Sequence, residues 1–259
     1  MGSQIGRLIS VDFAIQFIGW IISAKFRTEK FFDLTGSLTF ILLTYLSRNK
    51  IQSTLRQNIQ CSCIFLWAIR LGTFLFHRIL KSGQDSRFDR IRNSPSRLFI
   101  TWFMQGIWVI ITLLPSLYLN QKQTDKPLTK NDYIGWSIWL FGFVLEVVAD
   151  RQKSTFRNNA NNKGKFTNIG LWKYSRHPNY FGEICAWLGL YISSSHMLSK
   201  YEKLFGLLSP ILVTFLLSFV SGIPILEKQA MRLYGNDPTY RAYRNRTPVL
   251  IPFVNFPRI

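Results

Sequence analysis

The sequence predicts an all-α, polytopic integral membrane protein with about seven transmembrane helices. Three observations predict it. Apolar residues make up 47% of the 259 residues, and they are gathered in long blocks. Aromatic residues reach 15%, with 22 Phe and 8 Trp, as suits a chain whose Trp and Tyr sit at membrane interfaces. The cations behind a net charge of +19 lie between the blocks and form no compact basic domain. A charge of that size is also what a nucleic-acid binder carries. The interleaving argues against it, so membrane lipids are expected as neighbours and no nucleic acid is expected as a partner.

Seven blocks follow in order: Ile5–Ala24, Phe31–Leu46, Ile59–Phe76, Leu98–Leu119, Tyr133–Ala149, Tyr180–Met197 and Leu204–Leu226. Each approaches the ~20 residues a helix needs to cross a bilayer, the second and third least comfortably. Unbroken apolar runs, not period-two alternation, point to helices and not to a barrel. The first block carries Arg7 and Asp12 and lacks a small-residue cleavage site, so it reads as a span and not as a cleaved signal. Asn158–Lys165 is a polar insert expected to form a loop tip, and Gly235–Pro238 should split the tail into two short helices.

Lys and Arg are unevenly shared between the two sets of loops. Loops 25–30, 78–97 and 151–179 with the tail from 227 hold 22, against 9 in the opposite set. By the positive-inside rule the first set is cytosolic, or in the matrix if the membrane is mitochondrial. Several acids lie in or beside the spans, where a charge costs about 3 kcal/mol unless it has a partner. Asp12 is expected to face a neighbouring Arg, and Asp33 to form an ion pair with Arg70. The loop Arg78–Arg97 mixes signs and is expected to fold over the cytosolic side.

Two stretches carry more than membrane anchoring requires. Glu146 and Asp150 are four residues apart, with Lys153 and Arg157 three and seven residues beyond Asp150, so all four share one helix stripe. Such a stripe offers cations for phosphates and carboxylates for hydroxyl or amide donors. The second stretch runs from Asn168 to Tyr191 and passes from polar to apolar without a break. Lys173, Arg176 and His177 stand just before a helix that Pro178 can open, since proline's missing N–H is harmless in the first turn. The free N–H groups of that turn suit an anion. Asn179, Gly182 and Glu183 exceed what a stop-transfer loop needs.

Other chemistries are excluded. There is no Gly-rich dinucleotide fingerprint after a strand and no P-loop. Cys61, Cys63 and Cys185 are too few and badly spaced for zinc or a disulfide framework, and His77, His177 and His196 are isolated, so no metal is expected.

Taken together, Phe32–Thr39, Trp67–Asp89, Glu146–Arg157, Gly170–Tyr191 and Gly222–Pro252 resemble the membrane-embedded steroid 5α-reductase superfamily, in the branch carrying its C-terminal domain. The run from Gly170 to Glu183 is long and specific. The resemblance covers most of the chain and implies a single membrane-embedded domain over 1–259, with 120–259 as the cofactor-binding half. It implies an oxidoreductase that binds NADPH from the cytosolic side and reduces a conjugated C=C bond in a hydrophobic, lipid-like or steroid-like enone. Carried over residue by residue, it implies cofactor contacts at Glu146, Asp150 and Arg157, with Lys153 on the same stripe. It implies further contacts at Asn179, Tyr180 and Glu183, with Tyr174, Arg176 and His177 beside them, and at Glu227, Tyr234 and Tyr243.

One departure stands out. Steroid 5α-reductases have a tyrosine two residues before a His-Arg pair, and the position before His77-Arg78 here is Leu75. Asp33 is the candidate for that tyrosine's acidic partner, and no catalytic acid is assigned. An alternative is therefore a catalytically silent, reductase-like subunit of a membrane complex. A further alternative is a membrane methyltransferase using S-adenosylmethionine, whose family resembles the chain in the Arg176-His177-Pro178-x-Tyr180-x-Gly182 start but lacks the stripe. The expected location is the endoplasmic reticulum, with the mitochondrial inner membrane as the alternative.

Overall fold

The computed structural model describes residues 2–48 and 53–254. Lys50 and Arg258, which enter the loop charges above, lie outside that range. The described residues are helical, with no strand among them: α1 (Gly2–Phe26), α2 (Phe32–Ser47), α3 (Leu55–Ser82), α4 (Pro95–Asn120), α5 (Lys130–Asn158), α6 (Pro178–Ser195), α7 (Lys200–Gly206), α8 (Leu208–Phe215), α9 (Ile223–Tyr234) and α10 (Pro238–Arg246). The first six apolar blocks each become one helix. The seventh is broken, because a π-helical turn at Leu216–Val220 separates α8 from α9.

The chain is an integral membrane protein, and five stretches are long and apolar enough to cross a bilayer: Gln4–Phe26, Leu55–Ser82, Pro95–Asn120, Lys130–Asn158 and Lys200–Tyr234. The expected count of seven is not reached by this measure. Phe32–Ser47 has only 16 residues. The 18 residues of α6 include Asn179, Glu183 and three serines, which lower its apolarity. Phe17, Ile18, Leu66, Leu140 and Phe141 are each more than half exposed, as side chains facing lipid tails would be.

The chain divides into two compact units, Met1–Asp132 with Leu190–Ser209, and Tyr133–Gly189 with Pro210–Ile259. The 120–259 half thus contributes to both. In the first unit α1 to α4 pack around Phe40, Leu43, Ile64, Trp67, Leu98, Trp102 and Leu113, all nearly or wholly inaccessible. Phe40 meets Trp67 and Trp108 edge-on at 5.1 and 4.9 Å between centroids, a favoured aromatic geometry. Thr54 and Gln57 form a reciprocal capping box that starts α3.

Two polar expectations in this unit are corrected. Asp12 is fully buried, yet its partner is the Gln16 amide, one turn on, at 3.0 Å and not an arginine. Gln105 extends that chain by donating to Gln16 and to the Phe32 carbonyl at 3.1 and 3.2 Å. Asp33 pairs with Arg87 at 2.6 Å and with Arg78 at 3.8 Å, while Arg70 lies over the Phe74 ring. The loop after α3 spends its charges within its own unit. Arg92 binds Glu29 through Nε and Nη2 at 2.6 and 2.7 Å, and the Asp85 amide donates to Glu29 at 2.8 Å. At the other end of α3, buried Arg56 forks onto Asp132 at 2.5 and 3.1 Å and also reaches Asp125.

The Glu29 clasp makes a pH prediction. Burial pushes the Glu29 carboxyl up, but the bonds from Arg92 and the Asp85 amide outweigh it and hold the group below its ordinary value. Asp85 is lowered in the same way by Arg87. A depressed carboxylate contributes stability that is complete above its ordinary pKa and is lost as pH falls through the folded value. The 83–94 loop should therefore keep its hydrogen-exchange protection at pH 5 to 7 and lose it below about pH 4. Unchanged protection at pH 3 would contradict this.

Candidate cofactor site

The second unit is organised on a seam between α5 and α6. A Cβ added to Gly182 would lie 2.6 Å from the Gly142 carbonyl oxygen and 2.8 Å from the Glu146 nitrogen. One added to Gly189 would meet the Gly135 carbonyl and lie 2.6 Å from the Trp139 nitrogen. The glycines are seven residues apart in both helices, and their pairing runs antiparallel. Backbone thus meets backbone, and the register sets the polar residues opposite one another. Glu146 is buried beside Gly182. Asn179, at the start of α6, donates to Asp150 on α5 at 3.1 Å.

The turn before α6 is pinned from three sides. Gly170 has φ +52° and lies against the Gln152 side chain, whose oxygen accepts from the Leu171 amide at 2.9 Å. No L side chain would fit there without strain. Trp172 buries its ring, donates to the Ala149 carbonyl at 2.9 Å, and carries Lys153 over its face at 4.4 Å. The chain end supplies the third side. The Arg176 amide donates to the Pro248 carbonyl at 2.9 Å, and the Ser175 hydroxyl to the Leu250 carbonyl at 2.7 Å. Tyr243 on α10 donates to the Trp172 carbonyl at 2.7 Å.

Glu227 on α9 is the electrostatic hub. It binds Arg176, accepts from His177 Nε2 at 3.0 Å, and lies 3.5 Å from Arg244. Tyr180 stacks on the His177 ring at 5.6 Å with planes 8° apart. His177 is 4% exposed, and burial lowers its pKa despite the opposing pull of Glu227, so the imidazole is neutral at pH 7. Burial also lowers the Arg176 guanidinium, which remains a cation. Around this hub three buried polar atoms have no hydrogen-bond partner among the described residues: Arg176 Nε, His177 Nδ1 and Asn179 Oδ1. Orphaned buried atoms are uncommon in folded proteins and call for an explanation such as a ligand or water.

Most of the residues singled out in the sequence therefore belong to one unit and meet in pairs or clusters. Glu183 lies half-buried one turn into α6, and Arg157 is exposed at the end of α5. Tyr234 donates to the Lys165 carbonyl at 3.3 Å and joins Phe166, Tyr240 and Tyr243 in an aromatic cluster. Tyr174 is about half exposed and rests on Phe253, away from the Glu227 hub. The sequence reading missed Trp172, Ser175, Gln152 and Arg244. The first two lie inside the Asn168–Tyr191 stretch, so their neighbourhood was the only signal.

The arrangement fits an anionic ligand rich in hydroxyls and amides. Arg176 and Lys153 supply cations, Glu146 and Asp150 supply acceptors, and the orphaned atoms offer a donor and acceptors. Among the described residues no group of His, Cys, Asp or Glu could hold a metal ion.

Comparison with known proteins bears on this geometry. No solved structure matches the chain. It is 25% identical over 219 residues to an uncharacterized protein, C594.04c, of Schizosaccharomyces pombe, covering 72% of this chain and 60% of that one. It is 27% identical over 190 residues to 3-oxo-5-alpha-steroid 4-dehydrogenase 1 of Rattus norvegicus, covering 72% of this chain and 67% of the relative. For the Mus musculus enzyme of the same name it is 30% identical over 143 residues, covering 54% and 55%. The chain thus spans between about half and two thirds of the length of these relatives. Residues 19–247 match the family described as a protein of unknown function (DUF1295), and with that match over most of its length the chain belongs to the DUF1295 family, with distant likeness to the 3-oxo-5-alpha-steroid 4-dehydrogenases.

Proposed function

We propose that the protein is an NADPH-dependent membrane reductase acting on a conjugated C=C bond of a hydrophobic enone. The observation that supports it most is the hydrogen bond from Asn179 to Asp150 beside the orphaned atoms of Arg176 and His177. When bound, NADPH supplies the hydride. The chain's own residues bind and orient it. Arg176 and Lys153 favour phosphate oxygens. Glu146, Asp150 and Glu183 accept from ribose hydroxyls or the carboxamide. Asn179, held by Asp150, presents its free oxygen to a further donor. His177, neutral and fixed against Tyr180 and Glu227, offers Nδ1 at a set angle. Glu227 keeps Arg176 and His177 in place. The likeness to 3-oxo-5-alpha-steroid 4-dehydrogenases favours this reading over methyl transfer. The basic loops would face the cytosol, from the endoplasmic reticulum membrane.

The test is binding, then turnover, with the purified full chain. Binding that favours the folded state raises its stability by about 2.7 kcal/mol at a hundred times Kd, so NADPH should raise the melting temperature. An added enone should then drive NADPH oxidation. Folded protein whose melting does not respond to NADPH would refute the proposal. A second reading, a silent subunit of a membrane complex, is favoured by Leu75 standing where the reductases have tyrosine. It predicts NADPH binding without turnover, or none, with co-purification of fixed partners.

A further inference from the structure

The unit that holds the stripe also contains a cleft of about 550 Å³ among the end of α5, the 164–168 loop and α10. Its walls are aromatic on one side, from Phe156, Phe166 and Tyr243, and its rim carries Lys165 and Arg246. Neither cation has a carboxylate partner among the described residues. The cleft's single carboxylate, Asp237, is engaged as the cap of α10, accepting from the Thr239 amide and hydroxyl at 2.8 and 2.7 Å. The cleft therefore pairs flat aromatic surface with uncompensated positive charge.

It shares elements with the site above. Phe156 lies six residues beyond Asp150 on α5, about 9 Å along the helix axis. Tyr243 lines the cleft and donates to the Trp172 carbonyl, and the Trp172 ring in turn carries Lys153.

We propose that this cleft takes the phosphoadenosine end of the dinucleotide, with adenine against the Phe156–Phe166 wall and the 2′-phosphate between Lys165 and Arg246. This rests on the NADPH reading and deepens it. Aromatic rings offer a stacking face to any base. Two cations bind a doubly charged phosphate, and a 2′-hydroxyl gives them nothing to neutralise. The cleft would then be what distinguishes NADPH from NADH. A lipid headgroup phosphate would use the same cations but has no need of the aromatic wall.

The experiment measures affinities of the full chain in nanodiscs for NADPH, NADH and adenosine 2′,5′-bisphosphate. Wild type and the Lys165→Ala, Arg246→Ala and double variants are compared. Both side chains are exposed, so the variants should melt like the wild type. Losing a charge-assisted contact should weaken NADPH by about tenfold or more per residue. NADH affinity should not change, and the double variant should bind both nucleotides alike. Lys165→Glu with Arg246→Glu should abolish bisphosphate binding. Equal losses for NADPH and NADH, or none, would overturn the assignment. So would a wild type that binds the two equally, which would leave the NADPH reading standing. Loss of bisphosphate binding in nanodiscs rich in phosphatidic acid, with no preference between nucleotides, would assign the cations to lipid instead. A wild type that binds no nucleotide would remove both proposals.

Discussion

Replacing Glu227 with alanine is expected to lower the protein's stability by about 1–3 kcal/mol, as removing one partner from a partly buried ion pair leaves the buried Arg176 unsatisfied. NADPH binding should weaken at least about a hundredfold, as follows from losing close to 3 kcal/mol of positioning. The reason is that Glu227 is shared. It neutralises Arg176, which is 8% exposed, and it fixes one nitrogen of His177, which is 4% exposed. Without it Arg176 and His177 lose the carboxylate that holds them among the described residues, and the two cations Arg176 and Arg244 repel each other. Arg176 would have to leave its place, and the turn before α6 would follow, because the Arg176 amide is bonded to Pro248. Glu227→Gln separates the two roles. It retains an acceptor for His177 and loses the charge, so melting should fall less while NADPH affinity still drops. Thermal unfolding in detergent and nucleotide titration read the two quantities. If the alanine variant melts and binds like the wild type, Glu227 is a surface residue and the hub does not exist in solution.

How much of this was legible in the sequence follows from the range of each signal. Helices are local, and an unbroken apolar run identifies one wherever it falls. The first six blocks were recovered for that reason, with Pro178 opening the sixth, and the Gly235–Pro238 break splits the tail as expected. The seventh block also falls in a stretch able to cross a bilayer, but the π turn at Leu216–Val220 that breaks it leaves no mark in composition. The stripe on α5 was legible because a spacing of four and three is a property of one helix. Partners across the fold were not. Arg56 and Asp132 are 76 residues apart, and nothing near either names the other. Asp12 and Asp33 were assigned arginines because a lone charge in a span is costly, and Asp12 found a glutamine and Asp33 other arginines. Glu227 was marked through its resemblance to a motif, and Arg244, which completes its surroundings, was missed. The glycines at 135, 142, 182 and 189 were visible, but a spacing of seven in two helices means nothing until the helices are known to be antiparallel neighbours.

That seam makes the second large prediction. Gly182→Ala should separate α5 from α6 and abolish tight NADPH binding, and Gly182→Val should do so more severely. A methyl group at position 182 would sit 2.6 Å from a backbone oxygen and 2.8 Å from a backbone nitrogen. Neither atom can rotate away as a flexible side chain could, so the helix axes must move apart. Overpacking of this kind costs about 1–3 kcal/mol, and the valine should exceed the alanine. The functional loss should be larger than the stability loss. The hydrogen bond from Asn179 to Asp150 is already 3.1 Å long, and a shift of one ångström would break it. Misplacement on that scale can cost about a hundredfold in a site that depends on position. Gly6→Ala is the control, since nothing lies within 4 Å of an added Cβ there. Alanine at that exposed helical position should leave binding untouched and stabilise by about 0.5–1 kcal/mol. The discriminating result is the ratio between the variants. If Gly182→Ala binds NADPH like Gly6→Ala, the two helices do not meet through their glycines, and Asp150 and Asn179 are not held together by the fold.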